Sequence, residues 1–243
     1  MLYLLRKFQD RTEISITYKN FEISSTLVKF HSEYNDHIWH DPIVWAAGKI
    51  GDLYNLLNEI NLEGCILISQ FKIDLKKNQE LQQRNSFTEF IMGIKNRHTG
   101  YRDALTNVMS LTEDMAYKSL QLSGYNGTER DYDLMVHREK KFIRERDCYG
   151  VMNANDLASR GAIMSKTDQY SSIGAFFTRP DQRGKGFATM IIDKILDKAA
   201  GYSTNSCLFV NAENRSAVSL YRRIGFTVIG EAYFTDFGTG LRP

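Results

Sequence analysis

The stretch Ser171–Ala200, SSIGAFFTRPDQRGKGFATMIIDKILDKAA, restricts the possible folds of this chain more than any other. It reads as strand, glycine-rich turn, helix. Ser172 to Thr178 is an apolar, aromatic run that suits a buried strand, and Pro180, which cannot donate to a sheet ladder, ends it. Gly184 and Gly186 then open a helix. Its apolar residues Phe187, Ile191, Ile195 and Ala199 recur every four positions, with Ala188, Ile192 and Leu196 alongside, so one broad face is buried. A helix N-terminus carries unpaired N–H groups and the positive end of the macrodipole. Glycines there let a phosphate reach the main chain, and Arg183 and Lys185 add positive charge. The pattern is an anion cradle fed by a strand.

A second segment lies downstream: Asn211-Ala212-Glu213-Asn214-Arg215-Ser216-Ala217, followed by Leu220-Tyr221-Arg222-Arg223-Ile224-Gly225-Phe226. Arg183-Gly184-Lys185-Gly186-Phe187-Ala188 fits R-x-x-G-x-G/A, and the later segment fits N-x-x-A…L-Y-x-x-x-G-F. With both in this order, the last 140 residues or so resemble the GNAT superfamily of acyl-CoA N-acyltransferases. The resemblance says little about the first hundred.

The remaining chain fits an α/β reading. Residues 12 to 31 alternate enough for a hairpin turning near Lys19-Asn20. Pro42 to Ala47 is a compact apolar run, Gly48 to Gly51 introduces a helix through Asn58, and Gly64 to Phe71 is another strand. This small strand–glycine–helix–strand order is either a degenerate copy of the second half or a coincidence of α/β construction. From Lys76 to Tyr101 a helix ending in a linker fits, with a domain boundary near residue 100. A strand at 106–111 follows, then a helix capped by Thr112 and running to about Ser123. Gly124 to Gly127 is a turn. The next helix, from Asp131 to Arg146, has Leu134, His137, Lys141 and Ile143 loosely on one side, with His137 a surface or half-buried helix residue. Cys148–Ala154 and Ala158–Lys166 pair antiparallel. Ser206 to Val210 is a strand, Arg215 to Ile224 a helix with Asn214 at its cap and Gly225 past its end, and Val228 to Phe237 closes the sheet. The expected fold is a mixed α/β sheet of the GNAT kind over residues 101–243, preceded by a smaller α/β domain over 1–100.

The resemblance implies transfer of an acetyl group from acetyl-CoA to a primary amine of a small molecule, amino acid or peptide. Strands 172–178 and 206–210, joined through a helix, run parallel, and in the family such strands splay apart. The backbone of Phe176, Phe177 and Thr178 would then bond the pantetheine amides, and an N–H near Phe176 would face the thioester oxygen. The side chains of both phenylalanines are core. The pyrophosphate would sit on the amides of Arg183, Gly184, Lys185, Gly186, Phe187, Ala188 and Thr189, and Asn214 would bond the pantetheine arm. The leaving thiolate, of pKa about 8.5, is helped by a proton donor, for which Tyr221 is the candidate. The alternative for Tyr221 is an ordinary half-buried tyrosine that packs its helix down. No general base is assigned among Glu213, Glu231 and Asp236. Cys207 reads as a small core residue.

Composition removes other classes. A net charge of +2 over 243 residues does not point to nucleic acid. No stretch approaches a membrane-spanning length, and MLYLLRKFQDR lacks the charge order of a secretory signal. Cys65, Cys148 and Cys207 are odd in number and widely spaced, as expected of reduced thiols in a cytoplasmic protein. No metal is expected, because no Cys/His set has zinc spacing and the His37/His40 cluster flanked by Asp36 and Asp41 reads as a polar loop. A homodimer is compatible with the pattern. Two further readings stand beside the enzyme: a CoA-binding sensor or interaction module with weak catalysis, and an acyltransferase using a longer acyl-CoA. The loop His37-Ile38-Trp39-His40-Asp41-Pro42 is expected to wall the acceptor side of the cleft.

Overall fold

The computed structural model describes residues 12–19, 22–30, 43–49, 53, 57, 65–70, 72, 85–96, 107–123 and 129–237. The His37–Pro42 loop and the Gly124–Gly127 turn lie outside these residues. The chain forms two compact units that interleave in sequence: Met1–Ile91 with Val210–Arg215 and Val228–Pro243, and Met92–Phe209 with Ser216–Thr227.

In the first unit, β1 (Thr12–Lys19) and β2 (Glu22–Phe30) form the antiparallel hairpin expected from their alternation, with Thr12 opposite Phe30. β3 (Ile43–Gly48) runs antiparallel to β2 and parallel to β4 (Ile66–Ser69), the parallel step that requires a crossover. Leu53 and Leu57 are helical and fully buried within that crossover, and Leu53 N donates to Lys49 O at 3.0 Å.

β5 (Asn85–Lys95) corrects the helix expected here. Its sequence NSFTEFIMGIK is rich in Phe, Ile and Thr, which suit a pleated surface, and Phe87 and Ile91, four apart, pack against one cluster. The charged stretch before it suggested a helix, and that stretch lies outside the described residues. The cluster consists of Ile66, Ile68, Ala232 and Phe234, and Phe87 stacks on Phe234 at 4.9 Å.

In the second unit, β6 (Val108–Ser110), β7 (Asp147–Asn153), β8 (Asp156–Lys166) and β9 (Tyr170–Thr178) pair antiparallel in succession. β10 (Asn205–Asn211) joins β9 in parallel, whereas β11 (Thr227–Asp236) lies from Val228 onward in the first unit and pairs antiparallel with β4 there. Between β6 and β7 stand α1 (Ala116–Leu122), preceded by a 3-10 turn, and α2 (Glu129–Glu145). Thr112 is at the expected cap position, yet its side chain makes no capping hydrogen bond. Glu139, Phe142 and Ile143 form the buried seam of α2, whereas Leu134 and His137 are exposed. Ile143 follows Leu134 by nine residues, about 180° around the helix, so the grouping of these two on one side does not hold. His137 is the surface residue expected. α3 (Phe187–Ala199) carries the chain from β9 to β10 and buries Ile191, Ile192, Ile195, Leu196 and Ala199, the stripe read from the sequence. α4 (Arg215–Ile224) precedes β11.

Candidate functional site

β9 and β10 pair over only three positions, Asn205↔Tyr170, Ser206↔Ser171 and Cys207↔Ser172. Beyond Ser172 the two strands separate, so this edge of β9, including Phe176, Phe177 and Thr178, has no β10 partner. Main-chain groups on such an edge are open to another chain or a ligand. Cys207 is half-buried at the last paired position, and burial pushes its thiol up.

On its other edge β9 is irregular. Arg160 opposes Phe177 and Ala162 opposes Gly174, so two steps on β8 face three on β9. This is a β-bulge, and Ala175 within it has φ +53°. Such a conformation costs an L-residue on the order of 1–3 kcal/mol and persists only where its surroundings impose it.

Those surroundings are specific. The Phe176 ring lies over Gly161, where a Cβ would fall 2.5 Å from Phe176 Cδ1 and Cε1. Ser159 Oγ donates to Phe177 O at 3.0 Å and lies 2.8 Å from Thr178 Oγ1. Phe177 packs on the other side against the cluster that α1 and α2 contribute. Beneath it Arg160 Nη1 donates to Glu139 Oε1 and Ser119 Oγ, which ties β8 to both helices in a buried ion pair. Gly161 inside a long strand is the one signal of the bulge in the sequence. Nothing in the sequence marked Ala175, Ser159 or Glu139.

Beyond Thr178 the chain makes a 3-10 turn, Pro180–Gln182, and enters the glycine loop. Gly184 has φ +79° and Gly186 φ +82°, and a Cβ at either would meet nothing within 4 Å. Both positions need the left-handed region, and both leave open space over the main chain. Gly186 caps α3 without any side-chain hydrogen bond, so the N–H groups of Phe187, Ala188 and Thr189 have no partner inside the helix. Arg183 and Lys185 are exposed: Arg183 Nε donates to Thr178 O at 3.3 Å, and Lys185 Nζ to Gln182 Oε1 at 2.7 Å. Arg179 is held differently, by both oxygens of Asp181 (2.6 and 2.9 Å) and by Asp156 at 3.3 Å. Its hydrogen bonds hold the Asp181 carboxyl below its usual range.

Tyr221, in the last turn of α4, is buried. Its ring is 6.1 Å from that of Phe176 and 6.0 Å from that of Phe226. Burial pushes the phenol up to about 12. Its carbonyl accepts the N–H groups of Gly225 and Phe226, ending the helix at Gly225 with φ +113°.

Asn214 belongs to the other unit, directly ahead of α4, in a turn where its N–H donates to Asn211 O at 2.9 Å. Of the conceivable bases, Glu231 accepts the Tyr233 hydroxyl at 2.7 Å, Asp236 is wholly buried, and Glu213 is exposed. Glu89, which the sequence did not single out, has its carboxyl pushed up to about 7 by burial. Among the described residues no group of three His, Cys, Asp or Glu side chains could hold a metal ion, and no helix is long and apolar enough to cross a membrane. The His37/His40 cluster lies outside those residues.

Residues 149–235 match the family model described as FR47-like protein. The chain is 39% identical over 64 residues to the peptidyl-lysine N-acetyltransferase YjaB of Salmonella typhimurium, covering 26% of this chain and 41% of that protein. It is 36% identical over 99 residues to YjaB of Escherichia coli, covering 41% and 62%. The chain thus spans less than two thirds of the length of either relative. A putative acetyltransferase of the GNAT family from Novosphingobium aromaticivorans superposes with a TM-score of 0.64 at 17% identity, covering 88% of both chains.

Proposed function

We propose, from a chain with the GNAT fold and an FR47-like segment over residues 149–235, that it is an acyl-CoA-dependent N-acetyltransferase acting on a primary amine. One observation carries this reading: β9 parts from β10 after Ser172 and leads straight into an open, glycine-lined helix N-terminus. The pantetheine arm lies along the edge of Phe176, Phe177 and Thr178. The pyrophosphate lies on the loop from Arg183 to Thr189. An amine nitrogen attacks the thioester carbon in the ternary complex, and the bulge directs a main-chain N–H at the developing oxyanion. The C–S bond then breaks, the acyl group stays on nitrogen, the nitrogen gives up a proton to solvent, and the sulfur leaves as thiolate.

Tyr221 serves that departure as a hydrogen-bond donor. A phenol near 12 holds its proton more tightly than a thiol of about 8.5, so it stabilises the thiolate while keeping the proton. The name of the YjaB relatives makes a lysine side chain in a peptide the first acceptor to examine, ahead of free amino acids, polyamines and aminoglycosides. Thiol release from acetyl-CoA over that panel tests the reading. Release with at least one amine is expected. Binding of CoA with no release for any acceptor would replace the enzyme by a CoA-binding module.

A further inference from the structure

Arg179, just ahead of the loop that the proposed reading assigns to pyrophosphate, and Lys185, within it, are held in opposite ways. Arg179 is met by two carboxylates, Asp181 and Asp156. Lys185 is met by a neutral group, the carboxamide oxygen of Gln182 at 2.7 Å. A carboxylate partner cancels charge, whereas a carbonyl fixes the ammonium and leaves its charge in place.

Gln182 is itself buried, 5% exposed, and a buried carboxamide is tolerated only when its hydrogen bonds are made. Its Oε1 accepts from Asn153 Nδ2 at the end of β7 (2.7 Å) as well as from Lys185, and its Nε2 donates to Asp181 Oδ2 at 2.8 Å. The orientation is forced, because Lys185 can only donate, so exchanging oxygen and nitrogen would set N–H against N–H. Gln182 N donates to Arg179 O at 2.9 Å, which fixes the backbone as well. Asp181, the nearby carboxylate, has both oxygens engaged by Arg179. Lys185 precedes Gly186, the first cap of α3, so the held ammonium stands at the mouth of the cradle.

We propose that Gln182 is a positioning residue, which holds Lys185 ready for a phosphate and so sets the preference for CoA over acyl carriers that lack phosphate. The inference rests on the acyl-CoA reading above. It goes further by assigning the discrimination to a side chain that would touch no part of the ligand. A lysine already ordered loses less rotamer freedom on binding.

The test is the affinity of wild type and variants for CoA and for S-acetylpantetheine, which carries no phosphate. Gln182→Leu, close in volume, is expected to weaken CoA roughly tenfold and to leave S-acetylpantetheine unchanged. In a Lys185→Met background the same substitution is expected to cost no further CoA affinity. Should Gln182→Leu fail to fold, Gln182→Glu keeps the acceptor and cancels the lysine charge, and the same selective loss is expected. Equal losses for both ligands, unchanged CoA affinity, or an undiminished effect without Lys185 overturns the proposal. A wild type that binds neither ligand removes the acyl-CoA reading itself.

Discussion

The chain from β9 into α3 leaves regular geometry twice within a dozen residues, at the bulge and at the glycine loop, and the two departures are built on different grounds. At the glycine loop the left-handed positions are Gly184 and Gly186, with nothing within 4 Å of either added Cβ. At the bulge the left-handed position is Ala175, and the space around Phe176 exists only because position 161 has no side chain. The loop is permitted by its own residues, whereas the bulge is imposed by neighbours. In the proposed reading the loop governs affinity for the cofactor and the bulge governs rate.

The largest effect that would sharpen this division belongs to Tyr221, whose ring stands beside Phe176 at the bulge. Tyr221→Phe should lower turnover by about 10²–10³-fold while the dissociation constant for CoA stays near wild type. An equal loss of CoA affinity would break the separation of rate from binding. The same residue has a pH signature. Its folded pKa is raised, so its contribution to stability is fully present below about pH 10 and is lost as pH rises through about 12. Its share of the alkaline fall in unfolding free energy should amount to about 2–3 kcal/mol, and Tyr221→Phe should reduce the fall by that amount, leaving the share of the buried Cys148 thiol, also pushed up to about 12.

Next comes Gly161→Val. Its Cβ would fall 2.5 Å from the Phe176 ring, so Phe176 and the bulge must shift. Overpacking of this kind costs about 1–3 kcal/mol in denaturant unfolding, and turnover should fall with it by more than CoA affinity does, since the loop assigned to pyrophosphate is untouched. The smallest effect is that of Ala175→Gly. Relief of the positive φ is offset by the greater freedom of glycine in the unfolded chain, so the net change should stay within about 1 kcal/mol. A large destabilisation would mean that the methyl group, rather than the backbone, matters at the bulge.

The same contrast explains what could be read in advance. The β9–α3–β10 unit was legible because glycines, proline and a four-residue apolar repeat are local signals, and each sits where it was expected. The bulge was not legible, since its cause lies in β8, about 15 residues upstream. β5 was mistaken for part of a helix because polar flanking residues outweighed the strand-forming run from Phe87 to Met92. On α2 a charged residue, Glu139, occupies the wholly buried seam because Arg160 reaches it from β8. A pattern of apolar residues alone cannot locate such a seam. Gln182 carries no mark in the sequence for a similar reason: its partners Asn153 and Lys185 meet it only in the folded loop.

The most direct test of the cradle is calorimetric titration of acetyl-CoA into wild type and into Gly186→Val. A Cβ at this position meets no atom within 4 Å, so the cost is chiefly backbone strain of about 1–2 kcal/mol, and a folded variant can be confirmed by its melting transition. Wild type should bind, and at about 100 times the dissociation constant the ligand should stabilise it by about 2.7 kcal/mol. The variant should bind at least about tenfold more weakly, because the side chain occupies the space through which phosphate reaches the main chain. A folded Gly186→Val that binds acetyl-CoA as tightly as wild type would contradict the assignment of the loop.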